Sequence, residues 1–395
     1  MYKIRTLNNI SEKGLNKFSK SRYELDTEVP DPDGILVRSH KLEPKDATPS
    51  LRAVGRAGAG VNNIPVPEFT EQGIVVFNTP GANANAVKEL VMAGLLLSTR
   101  GILSGIEYVK TLEGYNDKKE LNELVEANKK RFKGRELKGK TLGVLGLGAI
   151  GSMVAEMGLQ MDMEVLGYDP ALSVDAAWRL SRNVQKMESM QALFAKADIV
   201  TLHVPALEST MGMINADTLE SFQKGSVLLN FSREEIVDTK AVAQALDDGT
   251  LSQYISDFPS PELLGKPGVL ATPHLGASTQ EAEENCAMMV ADQMIDFLEH
   301  GNITNAVNFP SVMMERTTGY RIALTNSNVP RILGKVLSIL ADRNINVVDM
   351  INKSRADIAY NLIDIEDPAT EDLVREIEAI EGVINVHAFD EDGQD

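Results

Sequence analysis

The sequence predicts an α/β protein built around a doubly wound parallel sheet, with another α/β unit before that sheet and a small α/β unit after it. A glycine-rich turn joins an apolar run to a helical pattern between Thr141 and Pro170. Strand-like and helix-like segments alternate on both sides of this turn, which implies parallel strands with helices on both faces of the sheet. Residues 320–389 follow the order strand, helix, strand, strand, helix, strand, which predicts a ferredoxin-like βαββαβ domain.

The first segment, up to about Pro80, contains three short apolar runs that end in turn residues, which predicts buried strands. They are ILVRS (35–39), RAVGRAG (52–58) and GIVVFN (73–78). The apolar run of residues 83–105 predicts one long helix, and residues 112–138 predict a polar helix at the surface or at an interface.

The glycine-rich turn has the pattern of a dinucleotide-binding site. Gly146 allows a tight turn, Gly148 lets a pyrophosphate approach the backbone, and Gly151 lets the next helix pack close to the strand. The N-terminus of that helix offers unpaired N–H groups to the phosphates. Asp169 follows Gly151 by 18 residues, where a carboxylate binds both hydroxyls of the adenosine ribose and repels a 2′-phosphate. The pattern therefore predicts NAD rather than NADP as the cofactor.

Four further apolar runs predict the remaining strands of this sheet. They are DIVTLHVP (198–205), GSVLLNFS (225–232), LSQYISDF (251–258) and VLATPHLG (269–276). The pattern of Glu281 to His300 predicts a long helix that returns to the first segment, and residues 302–311 have the turn residues of a linker. The acidic tail, Asp390 to Asp395, predicts a frayed C-terminus.

Composition and charge exclude several classes of partner. The chain of 395 residues carries a net charge of −18, whereas nucleic acids and anionic membranes attract basic surfaces. No run has the length of a membrane-spanning helix, and the N-terminus lacks the apolar core of a signal peptide. Cys286 is the only cysteine, which excludes an intrachain disulfide, fits a reducing compartment and predicts a buried thiol. We therefore expect a cytoplasmic protein that binds neither nucleic acid nor membrane.

Two polar side chains follow predicted strand ends, where open parallel sheets bind their ligands. The guanidinium of Arg233 can hold a carboxylate and the neighbouring oxygen together; the alternative is a surface arginine paired with Glu234 or Glu235. The imidazole of His274 can take a hydroxyl proton as hydride leaves the same carbon. His203 is expected either to support this site or to be structural.

These motifs resemble the D-isomer-specific 2-hydroxyacid dehydrogenases. The resemblance rests on GLGAIG with its acid Asp169, LHVP, the strand-end Arg233, TPHLGAST, LVRSHKL (36–42), GRAGAGVNNI (55–64) and FNTPGAN (77–83). The C-terminal unit resembles an ACT domain. The implied domains are a Rossmann-type NAD-binding domain at 85–279, a discontinuous flavodoxin-like substrate-binding domain at 1–84 and 280–310, and an ACT-like regulatory domain at 317–395.

The resemblance also implies roles for individual residues. Arg233 would bind the substrate carboxylate and carbonyl, and His274 would be the acid and base of the reaction. The cofactor-binding residues would be Gly146, Gly148, Gly151 and Asp169, with the backbone of Ala149 and Ile150 at the pyrophosphate and Val204, Ser232 and Asp257 at the nicotinamide end. The substrate would also face Arg38, Arg56 and Gly58. Asn328 and Asn346 would bind an amino-acid effector, unless they serve only as turn residues and helix caps. No metal site is expected.

Two positions depart from the family pattern. The family places a glutamate shortly after the acid that corresponds to Asp257, where it orients the base. Here Glu262 is displaced and follows two prolines, so its role is left open. A carboxylate partner would stabilise the protonated form of His274 and select its tautomer, and its absence would predict weaker pH dependence and a lower optimum for oxidation. The two residues after Arg233 are glutamates where the family has small residues, which changes the electrostatic field at the guanidinium.

The resemblance implies NAD-dependent oxidation of D-3-phosphoglycerate to 3-phosphohydroxypyruvate, the first step of phosphorylated L-serine biosynthesis, in a homodimer or homotetramer. The C-terminal unit and the arginines of the first segment favour a phosphorylated substrate. One alternative is another D-2-hydroxyacid dehydrogenase, acting on glycerate, lactate or a similar acid. The other is a non-catalytic NADH-sensing interaction protein of the same fold, which would be expected to have lost Arg233 or His274.

Overall fold

The computed structural model describes residues 1–390, the side chain of Asp175 excepted. The chain divides into two compact units, one of Met1–Asn83 with Gln280–Asp395 and one of Ala84–Thr279. The expected frayed tail falls, apart from its first residue, on residues 391–395, which lie outside the described residues. The assignment of substrate-binding, NAD-binding and regulatory roles to parts of these units stays a prediction.

The described residues contain sixteen strands and thirteen α-helices. The strands are β1 (Tyr2–Leu7), β2 (Tyr23–Asp26), β3 (Gly34–Val37), β4 (Ala53–Arg56), β5 (Val75–Phe77), β6 (Thr141–Leu145), β7 (Glu164–Tyr168), β8 (Gln185–Lys186), β9 (Ile199–Leu202), β10 (Ser226–Asn230), β11 (Leu251–Ser256), β12 (Val269–Ala271), β13 (Tyr320–Ser327), β14 (Val347–Arg355), β15 (Ile358–Ile365) and β16 (Val383–Phe389). The helices are α1 (Glu12–Leu15), α2 (Val66–Glu71), α3 (Ala84–Thr99), α4 (Ile102–Lys110), α5 (Lys118–Asn128), α6 (Ala149–Gln160), α7 (Val174–Arg179), α8 (Met190–Phe194), α9 (Ala216–Leu219), α10 (Thr239–Asp247), α11 (Gln280–His300), α12 (Ile332–Asp342) and α13 (Glu371–Glu378).

The first unit contains a five-stranded parallel sheet in the order β2-β1-β3-β4-β5. This is the strand order of flavodoxin-like sheets, so the predicted fold of the first segment is confirmed. Helix α11 buries Val290 and Met294 in one apolar cluster with Ile4 and Leu36 of the sheet, which confirms that this helix returns to the first segment. Cys286 is buried in the same cluster, and burial raises the pKa of its thiol.

The second unit contains a seven-stranded parallel sheet in the order β12-β11-β10-β9-β6-β7-β8. When the sheet is read from β8 to β12 and its strands are numbered from β6, the order is the Rossmann order 3-2-1-4-5-6, with β12 added at the edge. Successive strands are added towards one edge of the sheet from β6 to β8 and towards the other edge from β9 onward. Ligands bind at the point between β6 and β9 where this change occurs in such folds. The predicted doubly wound nucleotide fold is therefore confirmed.

The helix predicted over residues 83–105 is interrupted, because α3 ends at Thr99 before α4 begins. The N–H of Arg135 donates to the Thr99 carbonyl over 2.8 Å. A Cβ at Gly134 would lie 2.1 Å from the same carbonyl oxygen. The backbone of Gly134 and Arg135 therefore occupies the space that the next turn of α3 would need. The polar segment of residues 112–138 is also less helical than predicted, since it contains only α5 and a short 3₁₀ turn.

The C-terminal part of the first unit is a four-stranded antiparallel sheet in the order β14-β15-β13-β16, with α12 and α13 packed on it. Its chain order is βαββαβ, which confirms the predicted ferredoxin-like unit. An ion pair joins Arg321 of β13 to Asp364, its direct partner on β15. Both side chains are completely buried.

Candidate active site

The predicted site residues of the second unit follow neighbouring strands at one edge of its sheet. His274 follows β12, Asp257 follows β11, Arg233 follows β10, and the glycine turn follows β6. Because all these strands are parallel, the residues share the carboxyl edge of the sheet. Neighbouring strands are about 4.8 Å apart, so the ends of β10 and β12 lie about 10 Å from each other.

The glycine turn between β6 and α6 has the geometry that a dinucleotide site requires. Gly146 has a φ of +89°, a conformation that favours glycine. A Cβ at Gly151 would lie 1.9 Å from the Gly146 carbonyl oxygen, whereas a Cβ at Gly148 would have no atom within 4 Å. Gly151 is therefore required for packing, and Gly148 borders open space into which a pyrophosphate fits.

The first turn of α6 adds backbone donors to this space. Gly148 is the N-cap of the helix, and Ala149 and Ile150 are its first residues, whose N–H groups have no acceptor within the helix. The hydroxyl of Ser152 donates to the Gly148 carbonyl over 2.7 Å and so holds the N-cap residue on the helix. Free N–H groups at a helix N-terminus favour a bound phosphate.

The carboxylate of Asp169 is held beside the glycine turn. Its Oδ2 accepts the N–H of Leu147 over 2.8 Å, and its Oδ1 accepts the N–H of Ala171 over 2.9 Å. The side chain is half-buried, and each oxygen keeps a second lone pair that a ribose hydroxyl can use. The glycine turn, the start of α6 and Asp169 thus fit the diphosphate and ribose of NAD.

His203 and Val204 follow β9, the strand beside β6. The Nε2 of His203 lies 2.9 Å from the Thr201 hydroxyl oxygen. The hydroxyl of Ser232 donates to the Val204 carbonyl, which joins the ends of β9 and β10. Burial lowers the pKa of His203 to about 3, so the imidazole is neutral at neutral pH, which favours the structural alternative for this residue.

We expect His203→Gln to make the fold less sensitive to acid. A histidine that is neutral when folded binds its proton more readily when unfolded, so the protein loses stability as the pH falls from about 6.5 towards about 3. Glutamine keeps a polar atom near the position of Nε2 for the contact with Thr201, but it does not titrate. Melting temperatures at about pH 7 and about pH 5 test this, because the wild type should lose more between the two than the variant. Equal losses would contradict it.

Arg233 is exposed at the carboxyl end of β10. The buried Asn230 holds its turn, because Nδ2 donates to the Arg233 carbonyl over 2.9 Å and Oδ1 accepts the Ser232 N–H over 3.1 Å. The Nη1 of Arg233 donates to the Ser232 carbonyl over 2.7 Å. In the part of the chain that the structure describes, Arg233 forms no ion pair with Glu234 or Glu235, which leaves its charge available to an anionic substrate. Sequence reasoning missed Asn230, whose only signal was a polar residue at the end of an apolar strand.

His274 lies in the turn after β12 with an exposed side chain. Its φ of +57° is uncommon for a residue with a Cβ. The backbone N–H of His274 donates to the carbonyls of Asp257 and Thr272, each over 3.0 Å. Its ring packs edge-on against Phe258, with 5.1 Å between the ring centroids. The turn and the aromatic contact therefore hold the imidazole at the carboxyl edge.

Glu262, the candidate carboxylate partner of this histidine, has another contact. Its Oε2 accepts the Thr239 hydroxyl at 3.5 Å. Among residues 1–390, no carboxylate is hydrogen-bonded to the imidazole of His274. The role of a direct carboxylate partner is therefore not filled in this structure.

Asp257 is a buried carboxylate at the end of β11, with an exposed fraction of 1%. Its Oδ1 accepts the Thr272 hydroxyl and the Leu275 N–H, both over 2.7 Å, and its Oδ2 accepts the Gly276 N–H over 2.6 Å. All three donors belong to the turn that carries His274. The sequence did not indicate these bonds, and the expected position of Asp257 at the nicotinamide end stays a prediction.

The candidate substrate residues of the first unit make local contacts. The Nη2 of Arg38 pairs with Oε1 of Glu283 over 2.7 Å. The Nε of Arg56 donates to the Arg38 carbonyl over 3.0 Å, and its Nη1 donates to the Gly60 carbonyl. A Cβ at Gly58 would lie 2.9 Å from Nη1 of Arg56, so the glycine leaves room for this side chain. These contacts order the loop after β4, and the substrate-facing role stays a prediction.

In the C-terminal βαββαβ part, Asn328 directly follows β13 and Asn346 directly precedes β14. The Nδ2 of Asn328 donates to the Ala356 carbonyl over 3.1 Å, and its N–H donates to the Asp357 carbonyl over 2.8 Å. The carbonyl of Asn346 accepts the N–H of Glu366 over 3.1 Å. The contacts of Asn328 are typical of a turn residue, whereas the contact of Asn346 continues the pairing of β14 with β15; effector binding stays a prediction.

Residues 1–390 contain neither a candidate metal cluster nor a single helix of membrane-spanning character. No group of three or more His, Cys, Asp or Glu side chains in this range could hold a metal ion. No single helix in it is long and apolar enough to cross a membrane, and α3 and α4 meet that test only as a pair bent by 71°.

Comparison with known proteins identifies similar chains. Residues 103–276 match the model of the D-isomer specific 2-hydroxyacid dehydrogenase, NAD binding domain. A D-3-phosphoglycerate dehydrogenase from Haemophilus influenzae is 31% identical over 369 residues, which cover 90% of this chain and 86% of that protein. Another from Archaeoglobus fulgidus is 34% identical over 333 residues, which cover 82% of this chain. The chain spans only 60% of the length of this archaeal relative.

Solved structures share the fold. The NAD⁺-bound 3-phosphoglycerate dehydrogenase of Entamoeba histolytica has a TM-score of 0.61 at 27% identity, and the match covers 78% of this chain and 98% of that one. The D-lactate dehydrogenase of Aquifex aeolicus, solved with NAD and lactic acid, has a TM-score of 0.59 at 24% identity, covering 78% and 100% of the two chains. This second likeness shows the fold alone.

Proposed function

The chain belongs to the D-isomer-specific 2-hydroxyacid dehydrogenase family, and we propose that it oxidises D-3-phosphoglycerate to 3-phosphohydroxypyruvate with NAD. The observation that carries this proposal is the order of groups along one sheet edge, from the glycine turn through Arg233 to His274. Phosphoglycerate dehydrogenases among its relatives support the choice of substrate. The retained arginine and histidine speak against a non-catalytic NADH sensor.

The second unit supplies the residues that would hold the cofactor. The amides at the start of α6 would bind the diphosphate beside Gly148, and Asp169 would bind the adenosine ribose. Val204 and Ser232 would lie at the nicotinamide end. When bound, NAD supplies the hydride acceptor. The open space at Gly148 and the fixed carboxylate of Asp169 support this assignment.

Arg233 and His274 would act on the substrate. The guanidinium of Arg233 would bind the substrate carboxylate in bidentate fashion and stabilise negative charge on the C2 oxygen. A ring nitrogen of His274 would accept the proton of the 2-hydroxyl. Arg38 would face the substrate in exchange for its ion pair with Glu283, in which the two side chains are 39% and 43% exposed. An exposed pair contributes only about 0–1 kcal/mol, so the exchange costs little.

Replacement of Asp169 should relax the preference for NAD. We expect Asp169→Ala to lower kcat/KM for NAD by about 10- to 100-fold, because a charged hydrogen bond to each hydroxyl is lost, and to raise relative activity with NADP because the repulsion of a 2′-phosphate is removed. Steady-state rates with both cofactors measure this change. Asp162→Asn is the control, since Asp162 is an exposed acid paired with Lys138. An unchanged NAD-to-NADP ratio in Asp169→Ala would contradict the assignment.

A panel of 2-hydroxy acids tests the proposed reaction. Initial rates of NADH formation would be measured with D-3-phosphoglycerate, D-glycerate and D-lactate. We expect the highest kcat/KM with D-3-phosphoglycerate. Faster oxidation of D-glycerate or D-lactate would assign the chain to another branch of the family. Tight NADH binding without NADH formation from any of these acids would favour the sensor.

The family assignment also supports two proposals about assembly and control. The C-terminal βαββαβ part would be an ACT-like regulatory domain that binds an amino acid at Asn328 and Asn346. The chain would form a homodimer or homotetramer. Initial rates with added L-serine test the first proposal, and light scattering on the purified chain tests the second.

A further inference from the structure

We propose that a groove in the first unit binds an uncharged heteroaromatic molecule, a nucleobase or an aromatic carboxamide, that presents a hydrogen-bond donor next to an acceptor. The groove has a volume of about 700 Å³ and lies along one face of α11. Its other wall is formed by the chain just before α3 and by the chain that follows α11. The described residues that line it all belong to the first unit, and none of them belongs to the proposed site for NAD and substrate.

Gln293 of α11 is the residue that points to a ligand. It lines the groove and is 4% exposed. Among residues 1–390, neither its Nε2 nor its Oε1 has a hydrogen-bond partner. A buried amide without partners is unfavourable, and nearly all buried polar groups of native proteins are hydrogen-bonded. The amide therefore offers one donor and one acceptor at the buried side of the groove.

The amide of Gln293 favours partners in which a donor and an acceptor lie side by side. A glutamine amide forms two hydrogen bonds with the edge of a nucleobase such as adenine, and another primary amide can pair with it in the same way. A trans peptide unit carries its N–H and its C=O on opposite sides, so it cannot form both bonds at once. The groove is therefore suited to small ring compounds rather than to an extended peptide.

The charged residues of the groove disfavour anionic ligands. Among the described residues that line it, Lys17 is the only cation, and its Nζ lies 2.7 Å from both carboxylate oxygens of Asp292. Asp296 lines the groove as well, and its Oδ1 accepts Nδ2 of Asn302 over 2.9 Å. One cation and two carboxylates leave an excess of negative charge, so a phosphate or a carboxylate would be repelled.

Three methionines supply an apolar surface for a flat ring. They are Met288 and Met289 on α11 and Met313 in the chain that follows it. Thioethers are polarisable, adapt to irregular shapes and make favourable contacts with aromatic rings. A heteroaromatic ring can pack against these side chains while its edge pairs with Gln293.

Adenosine, which carries a nucleobase, and nicotinamide, an aromatic carboxamide, are the two probes. Saturating NADH is added first, so that the probes meet a filled cofactor site. The full chain is labelled with ¹³C at the methionine methyl groups, and single Met→Leu variants assign the signals of Met288, Met289 and Met313. We expect at least one probe to shift these signals, and the probe that does so identifies the ligand as a nucleoside or a carboxamide. Unchanged signals with both probes would overturn the proposal and leave water as the partner of Gln293.

Gln293→Met tests the amide itself, because methionine keeps the length of the side chain and removes its donor and its acceptor. The variant should weaken binding of the probe by about tenfold or more, since two hydrogen bonds are lost. It should melt no lower than the wild type, because an apolar group replaces a buried amide without partners. Gln280→Met is the matched control, since Gln280 lies on the same helix outside the groove, where its Nε2 donates to Oε1 of Glu284 over 2.9 Å. Equal affinities of the two variants would contradict the role of Gln293.

Methylated probes test the same pairing on the wild type. N6,N6-dimethyladenosine and N,N-dimethylnicotinamide keep the aromatic ring but have no N–H to donate to Oε1 of Gln293. Each should bind about tenfold more weakly than its parent, and equal affinity would overturn the proposal. Binding is measured without turnover, so a chain that oxidised no hydroxy acid would refute the proposed activity and leave this result unaffected.

Discussion

His274→Asn should lower kcat by about 10²- to 10⁴-fold, the range that a positioned acid–base group contributes. The imidazole is the proposed acceptor of the 2-hydroxyl proton, and asparagine has no group that can replace it. Asparagine tolerates the left-handed backbone that His274 adopts, so the turn should survive, whereas His274→Ala adds strain to the loss of the base. Single-turnover rates measure the loss of turnover, and NADH titrations measure cofactor binding, which should change little.

The control for this variant is His300→Asn. His300 is the last residue of α11 in the first unit, and none of the proposed chemistry involves its side chain. Its kcat should match that of the wild type. If His274→Asn also retained the wild-type kcat, the assignment of the base would be wrong.

Asp364→Asn should lower the free energy of unfolding by about 3–5 kcal/mol, because Arg321 would keep a buried charge without its counterion. The Nε and Nη2 atoms of Arg321 donate to the two Asp364 oxygens over 2.6 and 3.0 Å. Thr317 adds its N–H and hydroxyl, each 3.0 Å from Oδ2. An amide could not accept all four of these bonds. Urea unfolding monitored by circular dichroism would measure the change.

The pH dependence of this pair has a definite sign. Burial raises the pKa of Asp364, but the hydrogen bonds from Arg321 and Thr317 outweigh it, so the pKa is lowered in the folded state. The unfolded chain therefore binds the proton more readily. The stabilisation is present above about pH 4 and is lost as the pH falls through the lower folded value.

Glu376→Gln is the matched control for Asp364→Asn. Glu376 pairs with Arg343 over 2.7 Å, and the two side chains are 48% and 36% exposed. An exposed pair contributes about 0–1 kcal/mol, so this variant should unfold almost like the wild type. If Asp364→Asn cost no more than Glu376→Gln, the buried pair would not stabilise the C-terminal sheet.

The sequence predicted those features that depend on local pattern. The alternation of strands and helices indicated both parallel sheets, and the runs VVDMINKSR and VINVHAF coincide with β14 and β16 residue for residue. Turn residues lie next to both ends of these two edge strands, which explains the agreement. Because Arg233 and His274 directly follow strand ends, a parallel sheet was sufficient to predict that they share one edge.

The features that the sequence did not predict depend on contacts between distant segments. The break after Thr99 comes from the chain near Gly134, and helical periodicity carries no sign of it. β1 alternates buried and half-buried residues, and β2 has four residues of which one is buried, whereas the predicted strands of the first segment were continuous apolar runs. The bonds of Asp257 to the His274 turn cross 15 to 19 residues of sequence, so only the folded sheet reveals them.

A crystal structure of the chain with NADH and 3-phosphohydroxypyruvate would show whether Arg233 and His274 act on one carbon atom. We expect a ring nitrogen of His274 and the guanidinium of Arg233 both to lie within hydrogen-bond distance of the C2 oxygen, with the nicotinamide ring next to C2. A bound complex in which either side chain points away from that carbon would contradict it.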